Sequence, residues 1–264
     1  MEPLTSSKIK INNIQFGTVK KYSNGLGKFI ELIYNYNKFC LQTPKLLCKY
    51  GINKNYNDKT GDLKDYSLNL YLYYDQDKEI KIDKFRTKIE KFDKRVLKYV
   101  KKNSLNVLNK NNITDEELET IYYKSLKYKR LQDSDEIDNS VPPFITVKLK
   151  KFWKLKFSDN TVIDDVSEDN IQKYINSNAI VKAIIVPMLW FVNNNFGITY
   201  QVKEIIIYDQ GSNYTNNKND KNNKTQNKYQ QSKLDLSLFK INHNNEDNNN
   251  HFSDTETDSD NYSD

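Results

Sequence analysis

Four lysines, Lys148, Lys150, Lys154 and Lys156, occupy even positions between residues 144 and 157, while Ile145, Val147, Leu149, Trp153, Leu155 and Phe157 occupy odd ones. Successive side chains of a strand point to opposite faces, so this spacing puts the four ammonium groups on one surface with Phe152 among them. Lysine neutralises backbone phosphate and an aromatic face stacks on any base, which is the chemistry of a sequence-tolerant nucleic-acid contact. No Asp or Glu falls within 144–158 to oppose it. The competing reading is a solubilised sheet face with Phe152 tucked under a loop. Tyr71 and Tyr73 lie out of register with Leu68, Leu70 and Leu72 and are expected on the opposite face, either as stacking rings or packed beneath basic helices. Lys45, Lys49 and Tyr50 form a smaller cluster after Pro44, and Lys203 interrupts an apolar strand after Gly197. Trp153 and Trp190 sit on apolar registers and are expected in the core.

Catalytic chemistry finds little to work with. The two histidines, His243 and His251, both fall in a low-complexity C-terminal region, where no preorganised Ser or Cys partner is expected. Gly25 and Gly27 lack the Lys-Ser/Thr end of a phosphate-binding loop. Asp58, Asp62, Asp65, Asp75 and Asp77 offer hard oxygen donors for a magnesium-dependent nuclease, but turn capping and ordinary solvated carboxylates explain them more simply. Asp164, Asp165, Glu168 and Asp169 suit a helix start. The expectation is a protein that is not an enzyme and has no metal or cofactor.

Charge is unevenly placed along the 264 residues. Residues 246–264 carry Glu246, Asp247, Asp254, Glu256, Asp258, Asp260 and Asp264 and no Lys or Arg, a charge of -7, so the net +6 leaves +13 on residues 1–245. A basic body attracts a polyanion, and its own acidic segment competes for the same surface. Asn, at 36 residues, adds polarity without charge. Cys40 and Cys48 make neither a disulfide framework nor a four-ligand zinc site, so a reducing compartment is the default. With no long apolar run, neither a membrane span nor a signal peptide is expected.

Period-two patterns predict strands at 29–34, 39–43, 68–74 and 144–157, the last long enough to need a bulge or hairpin near 150–152. Residues 53–65 read as a polar loop. Phe85, Ile89, Phe92, Val96, Tyr99 and Val100 recur at steps of three and four, a helical face whose remaining circumference is rich in lysine. Thr114 with Glu117 fits a capping box for a second helix reaching about Arg130, after a loop at 109–112. Residues 132–140 read as a linker, and Ser167 as the cap of a short helix. The apolar runs 180–192 and 198–208 flank Asn193, Asn194 and Asn195 and read as a core hairpin. The regular body should end near Asp209. Beyond it lie an Asn/Lys-rich segment, 210–245, and the acidic tail, 246–264, both expected to be disordered for the most part.

Several short motifs in this order resemble a known family. They are Gln42-Thr43-Pro44, Tyr50-Gly51-Ile52, the leucine-alternating strand at 68–72, the strand start at 142–151, and the run from Trp190 to Tyr200 through Asn193-Asn194-Asn195-Phe196-Gly197. Together they look like the single-stranded DNA-binding proteins of large nucleocytoplasmic DNA viruses, similar in design to the OB-fold replication proteins of T-odd phages. The resemblance implies a mainly β fold: a five-stranded OB-fold barrel over 1–209 with a helical insertion around 84–131, followed by the acidic tail. It implies sequence-independent single-stranded DNA binding in replication, recombination or repair at viral replication sites in the host cytoplasm or nucleus. The implied partners are single-stranded DNA, a replication polymerase or other replisome protein, and a second copy of the chain as a homodimer. The tail, with Tyr262, would contact replication proteins. Gln42, Pro44, Gly51, Phe196 and Gly197 would be structural, while Lys148, Lys150 and Tyr200 would border the binding side. An RNA-binding OB-fold protein and a scaffold holding an acidic protein partner are the alternatives.

Overall fold

The most apolar stretches of the chain form its two longest strands, and these anchor a single hydrogen-bonded sheet. The computed structural model describes residues 3–57, 60–72, 79–132, 134–149, 154–163 and 171–210. The chain divides into two units, 1–228 and 229–264, and every described residue belongs to the first. The N-terminal elements are β1 (Leu4–Thr5), β2 (Ile14–Lys21), β3 (Lys28–Tyr34), β4 (Asn37–Lys38), β5 (Leu41–Gln42), β6 (Leu46–Tyr56) and β7 (Leu63–Tyr71). Three helices follow, α1 (Glu79–Lys102), α2 (Ser104–Leu108) and α3 (Asp115–Ile121). The chain then returns to strands: β8 (Tyr122–Tyr123), β9 (Phe144–Leu149), β10 (Lys154–Phe157), β11 (Val162–Ile163), β12 (Ala179–Val192) and β13 (Asn195–Asp209). It is a mainly β fold with a few inserted helices.

β12 and β13 pair antiparallel along nearly their whole length, from Val192↔Asn195 to Ile180↔Asp209. Asn193 and Asn194 turn the chain with φ of 49° and 63°. Positive φ at both central positions is what a two-residue hairpin needs to match strand twist, and Asn tolerates it. The free edge of β12 takes β3, β5 and β6, all antiparallel. The free edge of β13 takes β8, β9 and β10, all parallel. β6 pairs with β7, and β7 with β9, both antiparallel. The succession β6, β7, β9, β13, β12 therefore closes on β6. Leu68, Leu70, Ile145, Val147, Leu189 and Phe196 point to its buried side.

The helical insertion is tied to the N-terminal strands. Phe85, Ile89, Phe92, Val96 and Val100 are buried on one face of α1, each contributing roughly 1.5–3 kcal/mol by burial. Arg95 Nη2 donates to the Ile14 carbonyl at 2.6 Å and Lys88 Nζ to that of Ile9 at 2.7 Å. Phe16 stacks on Tyr99 with centroids 3.8 Å apart. The capping box at Thr114 and Glu117 forms with both of its hydrogen bonds.

Other expectations are corrected. The polar stretch 53–65 is mostly strand: Asn53↔Ser67, Lys54↔Tyr66 and Asn55↔Asp65 pair across a two-stranded ribbon, where backbone hydrogen bonds do not require apolar side chains. The helix that opens at Asp115 stops at Ile121, because Tyr122 and Tyr123 pair with Phe196 and Gly197 of β13. In keeping with the interruption expected near 150–152, the stretch 144–157 holds two strands on one edge of β13, and the register shifts by three residues between Val147↔Tyr200 and Lys154↔Glu204. Residues 39–43 contribute only the two-residue β5, and α2 has no sequence counterpart in the expected elements. The hydrogen-bonded sheet has thirteen strands among the described residues. Ser167 lies outside the described residues, whereas Ile171–Lys173 forms a 3₁₀ turn.

Candidate nucleic-acid interface

Register pairs place side chains from β7, β9, β13, β12 and β3 on one outward surface. Lys148 pairs with Ser67 of β7 and Gln201 of β13, Gln201 with Val186 of β12, and Thr199 with Met188. Two residues further along the hairpin, Trp190 pairs with Gly197 on one side and with Phe29 on the other, and Gly197 with Tyr123. Alternation keeps all of these on the face opposite Val147, Leu189 and Tyr200.

At the centre of this surface Lys148 Nζ stands 2.8 Å from Asp65 Oδ2. Asn55 Nδ2 donates to the other carboxylate oxygen at 2.6 Å and to Ser67 Oγ at 3.1 Å. Burial alone would push the Asp65 carboxyl up, but the hydrogen bonds from Lys148 and Asn55, with the charges of Lys148 and Lys64, outweigh it and hold the pKa low. Beside this pair Lys127 Nζ donates to Thr146 Oγ1 at 3.1 Å, and Thr146 Oγ1 donates to Asn69 Oδ1 at 2.8 Å. Partial burial, reinforced by the charge of Lys148, lowers the pKa of Lys127.

Aromatic rings flank the polar centre at both ends. On one side Tyr71 lies against Phe144, centroids 4.9 Å apart, and meets the edge of Tyr50 at 6.1 Å. Tyr50 is 52% exposed because it rides on a bulge between Cys48↔Leu70 and Ile52↔Leu68. Gly51 makes that bulge feasible: its φ is 68°, and a Cβ there would stand 3.2 Å from the Ile175 carbonyl. On the other side Tyr123, 59% exposed, meets Trp190 at 5.5 Å, and Tyr22 meets Phe29 at 5.0 Å. Gly197 lets the first pair close: a Cβ would come within 3.0 Å of Trp190 Cζ2, Tyr123 Cβ and the Tyr123 carbonyl.

The residues anticipated from sequence divide into groups. Lys148, Tyr50 and Tyr71 share the outward surface, with the Lys49 ammonium 5.2 Å from the centroid of the Tyr50 ring. Tyr71 does face away from the leucine register, yet Phe144 and Tyr50 cover it to 4% exposure, and burial pushes its hydroxyl up to about 12. Tyr200 points inward instead of bordering that surface: its buried hydroxyl donates to Ser125 Oγ at 2.9 Å, which donates to Asp93 Oδ1 of α1 at 2.6 Å. Lys154 and Lys156 are on β10, which pairs with the far part of β13, and Lys203 is on β13 itself. Lys203 is exposed at the register shift between Ile184↔Glu204 and Ile185↔Val202, and Lys156 Nζ is 2.7 Å from Glu204 Oε1, an ion pair without hydrogen-bond geometry. Lys45 stands apart, over the ring of Tyr208. Tyr73, Lys150, Phe152, Trp153 and the tail residues Glu246 to Asp264 lie outside the described residues.

Trp190 corrects the expectation of a core role: it is half-buried on the outward face. Phe29, Tyr123 and Lys127 were not singled out from sequence, since each becomes part of the surface only through a partner strand distant in the chain. The apolar alternation of β3 and β12 was the available signal, but it does not say which face is covered.

Among the described residues no group of three or more His, Cys, Asp or Glu is placed to hold a metal ion. Cys40 and Cys48 are buried and free, and no described helix is long and apolar enough to cross a membrane.

No family model and no curated protein matches the sequence. Among solved structures, the chain is similar to the single-stranded DNA-binding protein from bacteriophage Enc34 in complex with ssDNA, at 14% identity and a TM-score of 0.44, over 76% of this chain and 99% of that one. It is also similar to gp2.5, a single-stranded DNA-binding protein encoded by bacteriophage T7, at 11% identity and a TM-score of 0.40, over 69% of this chain and 98% of that one.

Proposed function

We propose that the chain is an OB-fold protein that binds single-stranded DNA without sequence preference and serves viral DNA replication, recombination or repair. The barrel reading rests on the pairing circuit: an antiparallel meander β6-β7-β9, a parallel step from β9 to β13, and antiparallel returns through β12 to β6. In such barrels the second and third strands, here β7 and β9, with the loops joining strands one to two and four to five, form the oligonucleotide-binding side.

The observation that carries the functional reading is the sharing of one sheet face by the Lys148 and Lys127 ammonium groups and the accessible rings of Tyr50 and Tyr123. Ammonium groups track phosphates and rings accept any base, so the arrangement favours an unpaired strand whose bases are free to stack. The acidic segment 246–264, at -7, competes for this face and becomes available to a replication protein when DNA displaces it.

Binding of the full chain to single-stranded DNA, duplex DNA and RNA of matched length across a salt series tests the reading. Preference for single-stranded DNA, with affinity falling as salt rises, is expected. Equal affinity for duplex would overturn it, and preference for RNA would favour the RNA-binding alternative.

A further inference from the structure

We propose a second ligand site: a cleft of about 460 Å³ between the first turn of α1, the β5–β6 turn and β12, which takes one nucleotide through its phosphate and base. None of its lining residues belongs to the polar centre or the ring pairs described above, and the inference is independent of the strand-binding reading.

Among the described residues, Lys45, Lys81, Lys84 and Lys182 line this cleft and no Asp or Glu does. Among the described residues Lys81, Lys84 and Lys182 have no carboxylate partner, so their charge is available to an anion. The walls are fixed by Thr43: its backbone N–H donates to the Ala183 carbonyl at 2.9 Å, and its Oγ1 accepts from Ala183 N at 2.9 Å. This clamp brings Lys45 beside Lys182, and both ammonium groups share the Tyr208 ring, at 3.8 and 5.2 Å from its centroid. A phosphate in the cleft gains charge-assisted hydrogen bonds from the Lys81, Lys84 and Lys182 ammonium groups.

The floor is different in character. Pro44 and the buried Ile82 supply apolar surface, and Ser6 and Ser7 add hydroxyl-bearing residues to the lining. The volume falls in the range of small-molecule sites, and lysines around an apolar floor suit an anion that carries a flat base. A nucleotide provides that combination either free or as one unit of a bound strand.

Calorimetric titration of the full chain with dTMP, thymidine and an oligothymidine of about eight nucleotides separates these sources. dTMP should bind and thymidine should bind more weakly. K84Q/K182Q, and K81Q/K84Q on the exposed side of α1, should each weaken dTMP about tenfold or more, while K148Q leaves it unchanged. If the same variants also weaken the oligothymidine, the site holds a unit of the strand; if only dTMP responds, it holds a free nucleotide. Absence of dTMP binding, or equal binding by wild type and both variants, would overturn the site; K148Q would still weaken the oligothymidine if the strand-binding reading holds. A peptide of residues 246–264 that binds wild type, but not the variants, where dTMP fails would assign the cleft to an acidic peptide and overturn the nucleotide.

Discussion

Lys148 Nζ is held 2.8 Å from Asp65 Oδ2 at the centre of the outward sheet face, so the lysine best placed to meet a phosphate already has a carboxylate partner. DNA must compete with Asp65 for that ammonium group. D65N should therefore raise affinity for single-stranded DNA and steepen the dependence of log K on log salt by up to about 0.7, whereas K148Q should make it shallower by a similar amount. Fluorescence anisotropy across a salt series measures both, and identical slopes for the two variants would remove Lys148 from the contact.

The Tyr123 ring is more than half exposed, so stacking on a base is its main route to binding energy. Y123A should cost roughly 1–3 kcal/mol of single-strand affinity without changing the salt slope. The same titrations, with thermal unfolding as a control, separate this from a loss of fold. An unchanged affinity would take the Tyr123 end of the surface out of the site.

Gly197 is the one position in its cross-strand row without a side chain. G197A puts a methyl group 3.0 Å from Trp190 Cζ2 and from the backbone carbonyl of Tyr123, and the latter cannot rotate away. The substitution should destabilise the fold by about 1–3 kcal/mol and shift tryptophan emission as the Tyr123–Trp190 contact opens. Urea unfolding checks the first and a fluorescence spectrum the second.

Asp93 and Asp65 should give opposite pH signatures. Burial raises the pKa of Asp93 above its ordinary 3.8, against hydrogen bonds from Ser125. Its folded state prefers the proton, so the stability it contributes is complete below that ordinary value and is lost as pH rises through the folded pKa. Asp65, held low, contributes stability that is present above 3.8 and lost as pH falls through its folded pKa. Relative to wild type, D93N should therefore improve as pH rises and D65N should improve as pH falls. Denaturant titrations at pH values spanning both windows read the two slopes.

Deleting residues 246–264 removes a charge of -7 while leaving the basic body intact. Affinity for single-stranded DNA should rise, most of all at low salt where the competition is least screened. No change at any salt concentration would rule out competition by the tail.

Local periodicity was enough to find the elements whose register is enforced by burial: the stripe of α1 from Phe85 to Val100, the Thr114 cap, and the β12–β13 hairpin with its asparagine turn. Each of these is decided by residues close in sequence, through the pitch of a helix or the alternation of a strand. The strand character of 53–56 was hidden because ribbon pairing uses backbone groups and leaves polar side chains in water. The end of α3 at Ile121 was hidden because β13, seventy-four residues on, captures Tyr122 and Tyr123. Lys148 was legible as an outward residue by alternation, but its partner Asp65, and the covering of Tyr71 by Phe144 and Tyr50, depend on which strands lie side by side. That choice belongs to long-range pairing, where one register places Phe29, Trp190, Gly197 and Tyr123 in a row and a slip of one residue would turn each strand's set to the other face.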